Sequence, residues 1–389
     1  MLASGGLRRR LLRRLFFPFC CLLVLACAQF CPAGPARAAS PDPADSPSLE
    51  RMLGSMLMLG FRGAELAPGD PFLAAVRSGK VGHVLLFDRD LPGGGERNIR
   101  SPEQLRRLTA VLRAAAPGPM FIAVDQEGGR VRRLKPRQGF MDLPSARHMG
   151  QGSPAATGAL AARLGAELAS LGISVDLAPV ADVDSNPDNP AIGRLGRSFS
   201  PNPRLVAEHA LAFGQGLARA GVIPVLKHFP GQGGARRDSH LGLTDISRCW
   251  DGGSDLLPYA EAFRRGWPGM VMVGHLFHAG LDPEHPATLS TMVVTGLLRR
   301  GLGWQGVVIS DDMQMKAVTD HYGLEQAILL AVRAGVDILV FGNNLQWDPD
   351  LPEKAHAALR RLVDSGKITP ERIRASWERI AALHAAYAR

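Results

Sequence analysis

Eight short, unbroken apolar runs recur along the chain, and their spacing constrains the fold more than any other feature. They are M-L-M-L-G-F at 56–61, V-G-H-V-L-L-F at 81–87, M-F-I-A-V-D at 120–125 and I-S-V-D-L-A-P-V at 173–180. The other four are V-I-P-V-L-K-H-F at 222–229, M-V-M-V-G-H at 270–275, V-V-I-S-D-D at 307–312 and D-I-L-V-F-G at 337–342. A strand with one wet face alternates apolar and polar residues. Runs without alternation fit parallel strands covered on both faces.

Helix-like stretches separate the runs, among them A-T-G-A-L-A-A-R-L-G-A-E-L-A-S-L-G and P-R-L-V-A-E-H-A-L-A-F-G-Q-G-L-A-R-A-G. Both end at glycine, the residue that most readily takes the left-handed turn closing a helix. Eight strand–helix repeats predict an α/β fold, a single TIM-type (β/α)8 barrel over residues 50–389. A doubly wound open sheet would give a similar string. Polar residues at the carboxyl ends of the runs favour the barrel: Asp125, Asp182, Lys227 with His228, His275, and Asp311 with Asp312. Barrel active sites are assembled from those strand ends.

The net charge of +9 suggests a polyanion partner until its distribution is considered. Residues 1–39 hold six arginines and no acid, leaving 39 basic against 36 acidic residues, or +3, for the rest. That balance, without a long basic run, does not suggest a nucleic-acid surface, and no nucleic-acid partner is expected. The arginine cluster precedes L-F-F-P-F-C-C-L-L-V-L-A-C-A-Q-F and the small-residue stretch P-A-R-A-A-S, a secretory signal pattern over 1–39 with cleavage near Ala38 or Ala39. Alternatives are a lipoprotein signal ending at Cys27, an export signal carrying Arg13-Arg14, and an uncleaved anchor. Residues 40–49 form a spacer too poor in apolar content to fold. The body is expected in a periplasmic or extracellular space, with membrane contact only through a lipid on Cys27. Four of the five cysteines lie in the signal segment, so Cys249 alone remains and no disulfide framework or cysteine metal cluster is expected.

Three segments carry chemistry. In I-S-D-D-M-Q-M, Asp311 and Asp312 end a buried run, where a carboxylate is costly unless paired or used. Adjacent strand residues point to opposite faces, so one of the two is expected at the barrel mouth. Catalyst and helix cap both remain open, one role for each aspartate. In V-D-Q-E-G-G-R-V-R-R, Asp125, Arg130 and Arg133 are available to sugar hydroxyls or to a structural ion pair. In K-H-F-P-G-Q-G-G-A-R-R-D-S-H, residues 227–240, the histidines are too far apart for a compact zinc motif. The lysine precedes the glycines, unlike a phosphate-binding loop. A mobile loop fits better, with Gly231, Gly233 and Gly234 as hinges and Asp238 orienting His240 for proton transfer.

The order K-H-F-P-G-x-G, D-S-H-L and S-D-D-M, preceded by V-D-Q-E-G-G-R-V and A-I-G…R-S-F, resembles glycoside hydrolase family 3. More narrowly, it resembles the bacterial β-N-acetylglucosaminidases of the NagZ type. The resemblance implies a retaining, two-step hydrolysis of terminal β-linked N-acetylglucosamine from peptidoglycan fragments or chitooligosaccharides. It assigns Asp311 as nucleophile, His240 as general acid/base and Asp238 as its orienting partner. Asp125, Arg133, Arg197, Lys227 and His228 would hold the sugar. No metal or cofactor is implied, and a monomer is expected. The chain departs from the family pattern at Gln232, often histidine in relatives. A longer A-I-G-R-L-G-R-S-F segment leaves Arg194 as the alternative to Arg197.

Three rivals remain. A family 3 β-glucosidase or β-xylosidase usually carries its acid/base outside this barrel, whereas this chain carries the Asp238–His240 pair within it. A carbohydrate-binding protein without catalysis is expected to lack Asp311 or His240, and both are present. A metal-dependent hydrolase would lose activity to a chelator.

Overall fold

The computed structural model of the chain describes residues 47–238 and 242–388. The signal segment and His240 therefore lie outside the described residues.

All eight apolar runs contain barrel strands. These are β1 (Leu57–Gly60), β2 (His83–Leu86), β3 (Ile122–Val124), β4 (Val175–Asp176), β5 (Ile223–Phe229), β6 (Met270–Val273), β7 (Val308–Asp312) and β8 (Ile338–Phe341). Each pairs in parallel with its neighbours in sequence, and β8 closes on β1 through Leu57↔Leu339 and Met58↔Val340. The open sheet is thereby excluded.

The absence of alternation has the expected cause. Met58, Leu85, Ala123, Val175, Leu177, Val225, Met272 and Ile309 fill the barrel interior. Their strand neighbours, such as Leu57, Leu59, Val84 and Leu86, belong to the cluster beneath the helices.

The helices start where local chemistry satisfies their first amide groups. Asp70, Ser101, Ser153, Asn202 and Thr369 each accept a backbone N–H in the first turn, and each is followed by proline. Proline has no N–H to leave unpaired there, and its fixed φ suits a first turn. The two quoted helices, Pro154–Ser170 and Pro203–Arg219, close at Gly172 and Gly221, with φ of 77° and 82°.

The last helix, Pro370–Tyr387, covers the amino-terminal end of the barrel. Ile380 joins the interior cluster, and the His384 ring stacks on Phe121 with centroids 3.6 Å apart. Tyr387 donates its hydroxyl to the Pro268 carbonyl at 2.7 Å. Asp337, fully buried at the foot of β8, accepts from Arg299, Ser376 and Arg379 at 2.7, 2.8 and 3.1 Å. With its base covered, the barrel offers the site at the carboxyl ends of its strands.

Candidate active site

Two strands reach the mouth with an extra residue each. On β5, Leu226 and Phe229 face Val271 and Val273, three steps against two. On β7, Ile309 and Asp312 face Ile338 and Val340, again three against two. A bulge of this kind re-aims the side chains within it. Lys227 and His228 consequently both line one cavity of about 370 Å³. So do Asp311 and Asp312, which corrects the expectation that only one of them enters the mouth.

The two aspartates differ in what they hold, and neither is a helix cap. Asp312 Oδ1 accepts from the amides of Gln314 and Gly342 at 3.0 and 3.1 Å, fixing the turn beyond β7. The short helix that follows, Lys316–Thr319, takes no side-chain cap from either aspartate. Asp311 Oδ1 accepts from the Asp312 amide at 2.8 Å, and its carboxylate lies on the cavity wall.

Opposite β7, alternation along the chain after β3 turns Asp125 and Glu127 to the same side. Lys227 Nζ bridges them, 2.9 Å from Asp125 Oδ1 and 2.7 Å from Glu127 Oε1. Arg133 Nη2 lies 3.3 Å from Asp125 Oδ2. Arg197 grips Glu127 with two parallel bonds, Nε to Oε2 at 2.7 Å and Nη2 to Oε1 at 2.8 Å. Such forked pairing is the strong form of a charge-assisted hydrogen bond.

This network fixes the charge states. Burial pushes the Glu127 carboxyl up, but Arg197 and Lys227 outweigh it and hold its pKa at about 2. Asp125 is likewise pushed up by burial and carried well below the usual carboxylate range by Lys227 and Arg133. Burial favours the neutral amine of Lys227, and its two carboxylates more than reverse that. The wall opposite Asp311 is therefore a set of committed ions.

His228 is fixed from both ring nitrogens. Arg197 Nη2, which can only donate, lies 3.3 Å from Nε2, so Nε2 accepts and Nδ1 carries the proton. Nδ1 donates to Asp182 Oδ2 at 2.7 Å. The Gln232 side-chain nitrogen Nε2 lies 3.0 Å from the same Nδ1. Asp182 Oδ1 accepts the Gln232 backbone N–H at 2.8 Å. Gln232 thus braces His228 through the shared partner Asp182.

The expected residues Asp125, Arg133, Arg197, Lys227, His228 and Asp311 all line the one cavity. Arg197 is 9% exposed, whereas the alternative, Arg194, has a 65% exposed side chain near Asp188 and does not line the cavity. Asp238 is half-buried and outside the cavity wall, and its expected partner His240 lies outside the described residues.

The glycines expected as hinges have packing roles. A Cβ on Gly233 would sit 1.6 Å from the Val183 carbonyl oxygen, and one on Gly231 would meet Asp255 at 2.8 Å. Asn189 Nδ2 ties down the carbonyls of Gln232 and Gly233 at 2.7 and 3.0 Å.

Sequence reasoning missed Glu127, the meeting point of Lys227 and Arg197. Its signal was the i, i+2 relation to Asp125. Asp182 was noticed at a strand end without its role as the His228 partner. Among the described residues, no group of three or more histidine, cysteine or carboxylate side chains could hold a metal ion.

Residues 49–383 match the Glycosyl hydrolase family 3 N terminal domain. Beta-hexosaminidase A of Pseudoalteromonas piscicida is 36% identical over 364 residues, covering 86% of this chain and 60% of its own length. Beta-hexosaminidase LpqI of Mycobacterium tuberculosis is 36% identical over 339 residues, 84% of this chain and 82% of the relative. Among solved structures, a family 3 β-N-acetylglucosaminidase from Paenibacillus sp. str. FPU-7 superposes with a TM-score of 0.79 at 34% identity. That match covers 88% of this chain and 64% of the Paenibacillus one. The β-N-acetylhexosaminidase of Beutenbergia cavernae gives 0.78 at 30% identity, covering 87% and 99%. The chain thus spans less than two thirds of the Pseudoalteromonas and Paenibacillus proteins but nearly all of the Beutenbergia one. On the matched family and these relatives together, the chain belongs to glycoside hydrolase family 3.

Proposed function

We propose that the chain is a retaining exo-β-N-acetylhexosaminidase, releasing terminal β-linked N-acetylglucosamine from peptidoglycan fragments or chitooligosaccharides. One observation carries the reading: Asp311 shares a cavity wall with Asp125, Lys227, Arg133, Arg197 and His228. The names of the similar proteins, β-hexosaminidases and β-N-acetylglucosaminidases, support the choice of sugar.

In the first step, an Asp311 oxygen attacks the anomeric carbon as the glycosidic bond breaks. His240 delivers its proton to the departing oxygen, leaving a glycosyl ester on Asp311. In the second step His240 takes a proton from water. The resulting oxygen nucleophile attacks the anomeric carbon, and Asp311 leaves as the carboxylate. Two displacements at one carbon retain its configuration. Most retaining glycosidases use a second carboxylate for the proton transfers. Here Asp312 is engaged with two backbone amides, which supports assigning that work to the Asp238–His240 segment. Asp125, Arg133, Arg197, Lys227 and His228 surround the terminal sugar and hold it through its hydroxyls and acetamido group. The arginine-rich leader over residues 1–39 supports action outside the cytoplasm, and the mechanism needs no metal or cofactor.

Turnover of paired 4-nitrophenyl β-glycosides tests the reading. Faster hydrolysis of the N-acetylglucosaminide than of the glucoside or xyloside is expected, unchanged by a chelator. Faster release of glucose or xylose reassigns the substrate. Sugar binding without turnover makes the chain a carbohydrate-binding protein.

A further inference from the structure

Asp176 is the last residue of β4, flanked by Val175 and Leu177, which face the barrel interior. Strand alternation turns Asp176 away from the interior, where it is 0% exposed. Its Oδ1 accepts the backbone N–H of Gln126 at 2.9 Å, and its Oδ2 is buried with no hydrogen-bond partner among the described residues. Gln126 stands between Asp125 and Glu127, the two carboxylates that hold Lys227. The Gln126 side chain is also fixed: its oxygen accepts the amides of Arg133 and Leu134, and its nitrogen donates to the Leu134 carbonyl. One buried carboxyl thus anchors the peptide on which half of the sugar-facing wall is mounted.

We propose that Asp176 is a positioning residue of this site: it fixes the Gln126 peptide and thereby the placement of Asp125 and Glu127 about Lys227. The sugar-binding part of this inference rests on the function proposed above. The anchor is the un-ionised acid. Burial raises its pKa well above the usual carboxylate range, the Gln126 amide and Lys227 oppose that rise, and Asp125 and Glu127 reinforce it. A second unpaired anion beside Asp125 and Glu127 would compete with them for Lys227.

The sign of the linkage follows. In the unfolded chain Asp176 ionises near its ordinary value of 3.8, whereas burial in the folded chain holds its pKa well above that. Folding then takes up a proton, so its contribution is complete below that value and declines as pH rises toward the folded pKa.

The test compares Asp176→Asn, which keeps an acceptor for the Gln126 amide and cannot ionise, with Asp176→Ala. D176N is expected to keep kcat and KM within about twofold of wild type. Its melting temperature should match wild type near pH 4 and exceed it by a margin that grows as pH rises above 4. D176A is expected to raise KM at least about fivefold with a smaller change in kcat. Hydrogen exchange of the Gln126 amide should be faster in D176A than in wild type or D176N.

The proposal is overturned if folded D176A keeps the wild-type KM and Gln126 protection, or if D176N is as impaired as D176A. A melting-temperature gap independent of pH also overturns it. Exchange and melting require no substrate, so an inactive wild-type protein would remove the hexosaminidase reading and leave this inference decidable.

Discussion

Arg197 and Glu127, seventy residues apart in sequence, meet in a forked ion pair with both side chains almost wholly buried. Lys227 shares the Glu127 carboxylate and reaches Asp125 as well. Three chain segments, after β3, after β4 and within β5, are therefore joined at one carboxylate. Losing it leaves Arg197 without its carboxylate and Lys227 with Asp125 alone.

Glu127→Gln should cost about 3–5 kcal/mol of stability at neutral pH, because removing one partner of a buried pair leaves uncompensated charge. The pH dependence follows from the low folded pKa. Glu127 contributes stability above its ordinary value of 4.5 and loses it as pH falls toward about 2. Urea unfolding of wild type and E127Q should give a gap that narrows steadily below pH 4.5. A constant gap would place the cost in packing.

At the opposite end of the barrel, His384 gives a pH effect of different origin. Burial against Phe121, beside His83, lowers its pKa from 6.5 to about 4. A depressed histidine pKa favours the neutral folded form, so stability is complete above pH 6.5 and lost as pH falls toward 4. His384→Phe keeps a ring over Phe121 and removes the proton site. Its melting temperature relative to wild type should rise as pH drops from 6.5 to 4. Parallel melting curves over that range would contradict the assignment.

His240→Ala tests the acid/base assignment through leaving-group dependence. A general acid contributes about 10²- to 10⁴-fold to substrates whose leaving group needs a proton. Hydrolysis of chitobiose should fall by that order. A 4-nitrophenyl glycoside, whose phenolate leaves unaided, should lose much less in the glycosylation step. Equal losses on both substrates would give His240 a positional role.

The barrel was legible because each strand is short, parallel and buried on both faces, so burial itself writes an uninterrupted apolar run. The ends of the two quoted helices were legible for a similar local reason, the glycine that closes each of them. The strand-end positions of Asp125, Lys227, His228 and Asp311 could also be read. The bulges were not, because the extra residue is defined only against the neighbouring strand. Their trace was the pair of polar doublets, K-H and D-D, each now found with both members on the cavity wall. Glu127 and Asp176 escaped notice because their partners are brought to them by the fold: Arg197 from the loop after β4, and the Gln126 amide from the short extended segment after β3. The choice of Arg197 over Arg194 likewise needed the structure, since spacing alone allowed either.

The central claim is that Asp311 forms a covalent bond to the sugar. Its carboxylate accepts the Asp312 amide, and asparagine keeps an acceptor for that amide at the same size; Asp311→Asn should fold while losing at least about 10³-fold in turnover. The direct measurement is mass spectrometry of the protein treated with a 5-fluoro derivative of N-acetylglucosamine carrying a good leaving group, followed by peptide mapping. The account predicts one added glycosyl group on the peptide containing Asp311 and none on D311N. An adduct on another residue, or retained-configuration turnover by wild type with near-normal activity in D311N, would contradict it.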